Sequence, residues 1–144
     1  MKSPSQVPAF AQKLIEIPFL LLVGGLGYYC IELIYRGYSH WSMMLCGGVT
    51  FLILYRLNER FSDTALVLRA LLGASVITTV EFLAGCIVNL GFGLNVWDYS
   101  DLPYNLLGQI CFPFSLLWFL LCLPVCALCL LLRRAVFPTD EADD

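Results

Sequence analysis

The sequence predicts an all-α integral membrane bundle of four transmembrane helices, with both chain ends in the cytoplasm. Three observations lead there. Of 144 residues, 60% are hydrophobic and only 13% charged, against about 25% charged in a soluble domain. Four long apolar runs divide the chain, and a spanning helix needs about 20 such residues. Lysine and arginine gather on one side of the alternating connections, which sets the orientation.

The net charge of −3 reflects the last residues, where Asp140, Glu141, Asp143 and Asp144 supply four of the 11 acids. The other seven acids face eight lysines and arginines, so the body offers no basic surface to nucleic acid. Residues 1–13 read as a cytoplasmic leader, 14–134 as the four-helix transmembrane domain, and 135–144 as an acidic cytoplasmic tail.

The first run, residues 15–35, is too long for the apolar core of a signal peptide, about 7–15 residues. Glu16 at its start suits a positive helix N-terminus. Gly24, Gly25 and Gly27 suit close helix packing. Tyr28, Glu32 and Arg36 share one face at i, i+4 and i+8, and Glu32 to Arg36 is the favourable order for an ion pair. That pair reads either as an interfacial salt bridge or as one wall of an outer polar site. Gly37 permits the following turn, and Tyr38 and Trp41 match an aromatic belt. His40 is the sole histidine, and one histidine without strong co-ligands builds no metal site.

The second run, residues 41–55, spans if it begins near Tyr38 and ends near Leu57; otherwise it is tilted or partly re-entrant. Arg56, Asn58, Glu59, Arg60 and Asp63 then form a charged inner connection. Ser62 or Asp63 is the expected cap of the third helix. The third run, residues 65–90, carries Ala74, Thr78, Glu81, Gly85 and Asn89 on one face. An intramembrane acid such as Glu81 is costly, turns toward other helices, and marks a functional site by default. Gly91 and Gly93 free the backbone of the next loop, which holds Trp97, Asp98, Tyr99 and Ser100. The fourth helix is expected from near Tyr104 to residue 132, capped by Asp101 and kinked by Pro113 and Pro124, with Asn105, Gly108 and Gln109 on one face of its first turns. Seven Lys and Arg (Lys2, Lys13, Arg56, Arg60, Arg69, Arg133, Arg134) flank one side and Arg36 alone the other, so the Trp97 loop faces outward.

Several chemistries find no support. The only lysines are Lys2 and Lys13, so no phosphate-binding Gly-rich loop with its lysine exists. Neither G-x-S-x-G nor H-E-x-x-H occurs. Cys126 and Cys129 form a C-x-x-C, but amid leucines they read as small hydrophobes. No metal or cofactor is expected.

Glu32 with Tyr35-Arg36-Gly37-Tyr38, then Thr79 to Gly85, then Trp97-Asp98-Tyr99-Ser100 with Asn105, Gly108-Gln109-Ile110-Cys111 and Ser115 to Trp118, resemble the bacterial putative ABC-transporter type IV (CmpB-like) integral membrane family. The resemblance runs from Leu21 to Leu121. Residues 39–48 depart from the family's glycine-proline and Pro-Ile-Tyr-Gly pattern, so it says little about the second helix. It implies a multi-pass bacterial inner-membrane protein related to transport.

The expected polar cluster on the outer half is Glu32, Arg36, Glu81, Asn89, Trp97, Asp98, Tyr99, Ser100, Asn105 and Gln109. The leading functional reading is a transport-related, permease-like subunit in the lipid bilayer that contacts an ion or substrate through this cluster. So small a chain needs to oligomerise or to pair with a separate ATPase subunit. The alternative is a membrane scaffold or partner-binding protein in which the cluster fixes helix packing. An intramembrane enzyme with Glu81 and Asp98 as acid and base is the weakest reading, since no nucleophile or metal accompanies them.

Overall fold

The computed structural model describes residues 9–138, so the expected acidic residues 140–144 and most of the expected leader lie outside it. Among the described residues four helices run up and down: α1 (Ala9–Arg36), α2 (Trp41–Arg60), α3 (Leu66–Gly85) and α4 (Phe112–Ala135). A π-helical turn, Cys86–Gly91, continues α3. Three segments, Phe10–Arg36, Leu66–Gly91 and Phe112–Ala135, are long and apolar enough to cross a membrane. The 20-residue α2 is not, because Arg56, Asn58, Glu59 and Arg60 belong to the helix rather than to the connection after it.

The ends of α1 and α4 meet opposite the Trp97 loop. There Phe19 packs edge-on to Phe137 at 5.5 Å, and Arg133 Nη1 donates to the Glu59 carbonyl at 3.4 Å. Glu16 is buried one helix turn and more inside α1, pairing with Arg56 Nη1 at 3.2 Å, so it locks α1 to α2 instead of decorating a helix start. α1 packs along α2, and α3 along α4, with α2 shared between the pairs. Leu54, Ala70, Ala74, Ile77, Trp118 and Cys122 form the central core. Leu20, Phe51, Tyr55 and Cys129 continue it toward the chain ends.

Local signals misplaced several boundaries. Neither Ser62 nor Asp63 caps α3; Ala65 precedes the helix with no side-chain cap, and the turn is closed by Thr64 N–H donating to the Phe61 carbonyl. The fourth helix begins at Phe112, not near Tyr104, and Asp101 does not cap it. Residues 104–111 instead form a two-residue antiparallel hairpin, β1 (Asn105–Leu106) with β2 (Ile110–Cys111). Tyr104, Leu107 and Gly108 all take positive φ, which no helix accommodates. Pro113 therefore falls in the first turn of α4, where its missing N–H costs nothing, and only Pro124 is interior. His40 proves to be the N-cap of α2, its Nδ1 accepting from Ser42 N–H at 3.3 Å. Cys86 and Cys111 lie in the π turn and in β2 rather than in α-helices.

Candidate functional site

The loop between the π turn and α4 folds back onto the helix ends. Val96 and Trp97 are buried there with Met43. Asn89, turned inward on the π segment, organises this return. Its Nδ2 donates to the Trp97 carbonyl at 3.0 Å and to Gln109 Oε1 at 2.8 Å, and its Oδ1 accepts from Val96 N–H at 2.7 Å. Trp97 Nε1 donates to the Gln109 carbonyl at 3.0 Å. Gly85 is required beneath them: a Cβ there would stand 2.9 Å from Gln109 Cβ and 3.1 Å from the Trp97 ring. Backbone polar groups taken into an apolar end must find partners, and one asparagine satisfies two of them.

Arg36 holds the same return from the α1 side. Its Nη2 pairs with Glu32 at 3.0 Å and its Nη1 donates to the Val96 carbonyl at 2.7 Å. Ser39 Oγ donates to Glu32. Asp98, Ser100 and Asn105 form an exposed turn beyond. Asp98 Oδ1 accepts from Ser100 N–H at 2.9 Å and from its hydroxyl, and these bonds hold the carboxyl below the usual aspartate range. Asn105 Nδ2 donates to the carbonyls of Ser100 and Leu102 at 3.1 and 2.9 Å.

Glu81 lies under the folded loop. The Tyr99 hydroxyl donates to Oε1 at 2.8 Å, and Trp118 Nε1 to Oε2 at 2.9 Å. Burial, and then the Glu81 carboxylate, push the Tyr99 phenol above its usual range, so Tyr99 stays a donor. Rings surround the acid: Tyr99 stacks on Phe114 at 4.6 Å, and Trp118 contacts both Phe114 and Tyr28, at 6.2 and 6.0 Å. Among the described residues, Glu81 has no salt-bridge partner. A cavity of about 260 Å³ opens beside it between the helix pairs.

The ten expected residues thus share one end of the bundle but divide into four groups. Arg36, paired with Glu32, bonds the Val96 carbonyl, and neither residue bonds Glu81, Asn89, Asp98, Asn105 or Gln109. Asn89, Trp97 and Gln109 form a second group, Asp98, Ser100 and Asn105 a third, and Glu81 with Tyr99 a fourth. Asn105 and Gln109 sit in and beside the hairpin instead of on α4, so they approach the site by a turn rather than along a helix face. Trp118 had no assigned role in the sequence reading. Its signal was present in the spacing Ser115, Trp118, Cys122, which marks the inward face of α4. The Val96 carbonyl, being backbone, had no signal in the sequence.

A family model described as Putative ABC-transporter type IV matches residues 19–137. No curated protein and no solved structure matches the chain.

Proposed function

The chain belongs to the putative ABC-transporter type IV family, and from that premise we propose that it is a four-span, transport-related subunit of the bacterial inner membrane with both ends cytoplasmic. Three apolar helices and the family support a membrane, transport-related protein. The charge distribution supports the orientation: Arg56, Arg60, Arg69, Arg133 and Arg134 gather at the chain-end side, against Arg36 at the loop side. In this reading α2 spans as well, since it connects two ends of the bundle and its charges fall in its last turns.

One observation carries the functional part: a buried carboxyl group with, among the described residues, only neutral donors, seated beneath a loop that closes one end of the bundle and beside an open cavity. Glu81 lies about 23 Å from the start of α3 at ~1.5 Å per residue, well inside the apolar span. In the proposed role Glu81 contacts the transported species. Asn89, Gln109, Arg36 and Glu32 hold the outer end closed. The connection from α2 to α3 is the natural contact for a separate ATPase subunit, because it lies at the cytoplasmic end with Arg60 and Asp63 exposed.

The satisfied bonds of Asn89 and Gln109 favour the packing reading for those two residues, while Glu81, unlike them, borders the cavity. Flux through liposomes holding purified protein tests the assignment, with protons read by an entrapped dye and small cations by tracer. Loss of flux in Glu81→Gln at an unchanged unfolding temperature is the expected result. Equal flux in the variant refutes the role of Glu81, and a variant that unfolds assigns the acid to packing.

A further inference from the structure

The cavity beside Glu81 carries information about what it would hold. It lies where α1 leans on α2 and leaves α3 and α4 uncovered, and its walls come from all four helices. Among the described residues Glu81 is the one acidic or basic side chain on its lining. Apart from the Thr50 hydroxyl and the Cys46 thiol the remainder is apolar or aromatic, with Tyr28, Phe51, Trp97 and Trp118 among the walls. Its mouth is at α1. Ile31 and Leu128 on its rim are 40% and 38% exposed, and a Cβ added to Gly27 would meet no atom within 4 Å. In a bilayer that mouth faces acyl chains.

The walls and the acid favour different ligands taken singly. An apolar wall of this kind favours a lipophilic molecule. Among the described residues the buried Glu81 carboxyl group is bonded only to a phenol and an indole, and its ionised form is costly until a positive partner arrives. Arg36 does not supply the partner, since it is held by Glu32 and the Val96 carbonyl. Aromatic faces beside the acid attract a cation in their own right. A molecule that is apolar over most of its surface and carries one positive charge meets all three conditions.

We propose that this cavity binds a lipophilic monovalent cation, which enters from the bilayer past Gly27 and seats its charge at Glu81 against the rings of Tyr28 and Trp118. The proposal rests on the transport reading above for its biological use but not for its chemistry.

The test uses the full chain in lipid nanodiscs and two probes of one shape, benzyltrimethylammonium and its neutral carbon isostere neopentylbenzene. Equilibrium dialysis measures binding, with empty nanodiscs subtracted. Saturable binding of the cation, weaker by about 30-fold or more in Glu81→Gln, is expected from removal of a desolvated charge partner. The isostere should bind the wild type no better than it binds Glu81→Gln. Gly27→Phe should abolish cation binding while unfolding at the wild-type temperature, because its ring enters open space. That variant keeps the proposal falsifiable if Glu81→Gln fails to fold. Absence of saturable binding, equal binding of both probes, or full binding by Gly27→Phe overturns the proposal. Binding without any liposome flux sinks the transport reading alone, and flux without binding sinks this proposal alone.

Discussion

Replacing Asn89 by alanine should release the loop that closes the Trp97 end of the bundle. Three hydrogen bonds disappear with that side chain: to the Trp97 carbonyl, to Gln109 Oε1 and from the Val96 amide. The site is 5% exposed, so water does not readily replace them. At a net value of ~1 kcal/mol for each bond, the loss is about 3 kcal/mol. Every 1.4 kcal/mol is a factor of about ten in an equilibrium constant, so local opening of the loop should rise by roughly 100-fold. Amide hydrogen exchange reads this directly, because a protected amide exchanges in proportion to its opening population. The Val96 amide should exchange about 100-fold faster in Asn89→Ala. Amides in the middle of α4, around Cys122, should keep their wild-type rates. Trp97, buried at 8% exposure, should show red-shifted emission as the loop opens. If Val96 exchanges at the wild-type rate, Asn89 is not what holds the return. If α4 accelerates equally, the loop and the bundle open as one unit and the site is not a separable closure.

Other outcomes follow from the same structure. Trp118→Phe keeps an aromatic ring but removes the indole donor to Glu81 and part of the buried ring volume, and should lower thermal stability by about 1–3 kcal/mol; an unchanged unfolding temperature would show that the bond contributes nothing. Gly24→Ala should destabilise the α1–α2 contact by ~1–3 kcal/mol, since a Cβ there would collide with Phe51 and the Gly47 carbonyl, whereas Gly27→Ala should be neutral or slightly stabilising in a melting comparison. Asp98 should titrate below the ordinary aspartate value, and Ser100→Ala should raise its midpoint toward that value in a carboxyl-carbon NMR titration. The sign follows from linkage: a depressed carboxyl favours the folded turn above the ordinary aspartate pKa, and that preference is lost as pH falls through the folded value. A cysteine at Asp101 should react with an impermeant maleimide in intact cells above the wild-type background, and one at Ser62 only after permeabilisation. The reverse pattern would invert the proposed orientation.

Composition and run length were enough to determine a helical membrane protein, because lipid leaves the backbone few alternatives to internally bonded helices. The face of α3 was equally legible: Ala74, Glu81 and Gly85 are buried, Thr78 between them is half-buried and bonded to Ser115, and the π turn carries the buried Asn89 onward from that face. The motif around Trp97 sufficed to place the chain in its family. Residues 104–111 were not legible, since an apolar stretch of that length suits a helix until positive φ at Tyr104 and Leu107 is known. The apolarity of α2 misled in the other direction, since its charged last turns look like a loop when read along the chain. What only tertiary structure decided is which polar groups meet. Arg36 binds a backbone carbonyl 60 residues away, and a backbone atom has no residue type by which to announce itself. Glu81 is held by one ring from the loop and one from α4. Whether such an acid is paired, and whether space remains beside it, depends on how four helices lean together. That leaning follows from summed packing across all of them, which no local stretch of sequence contains.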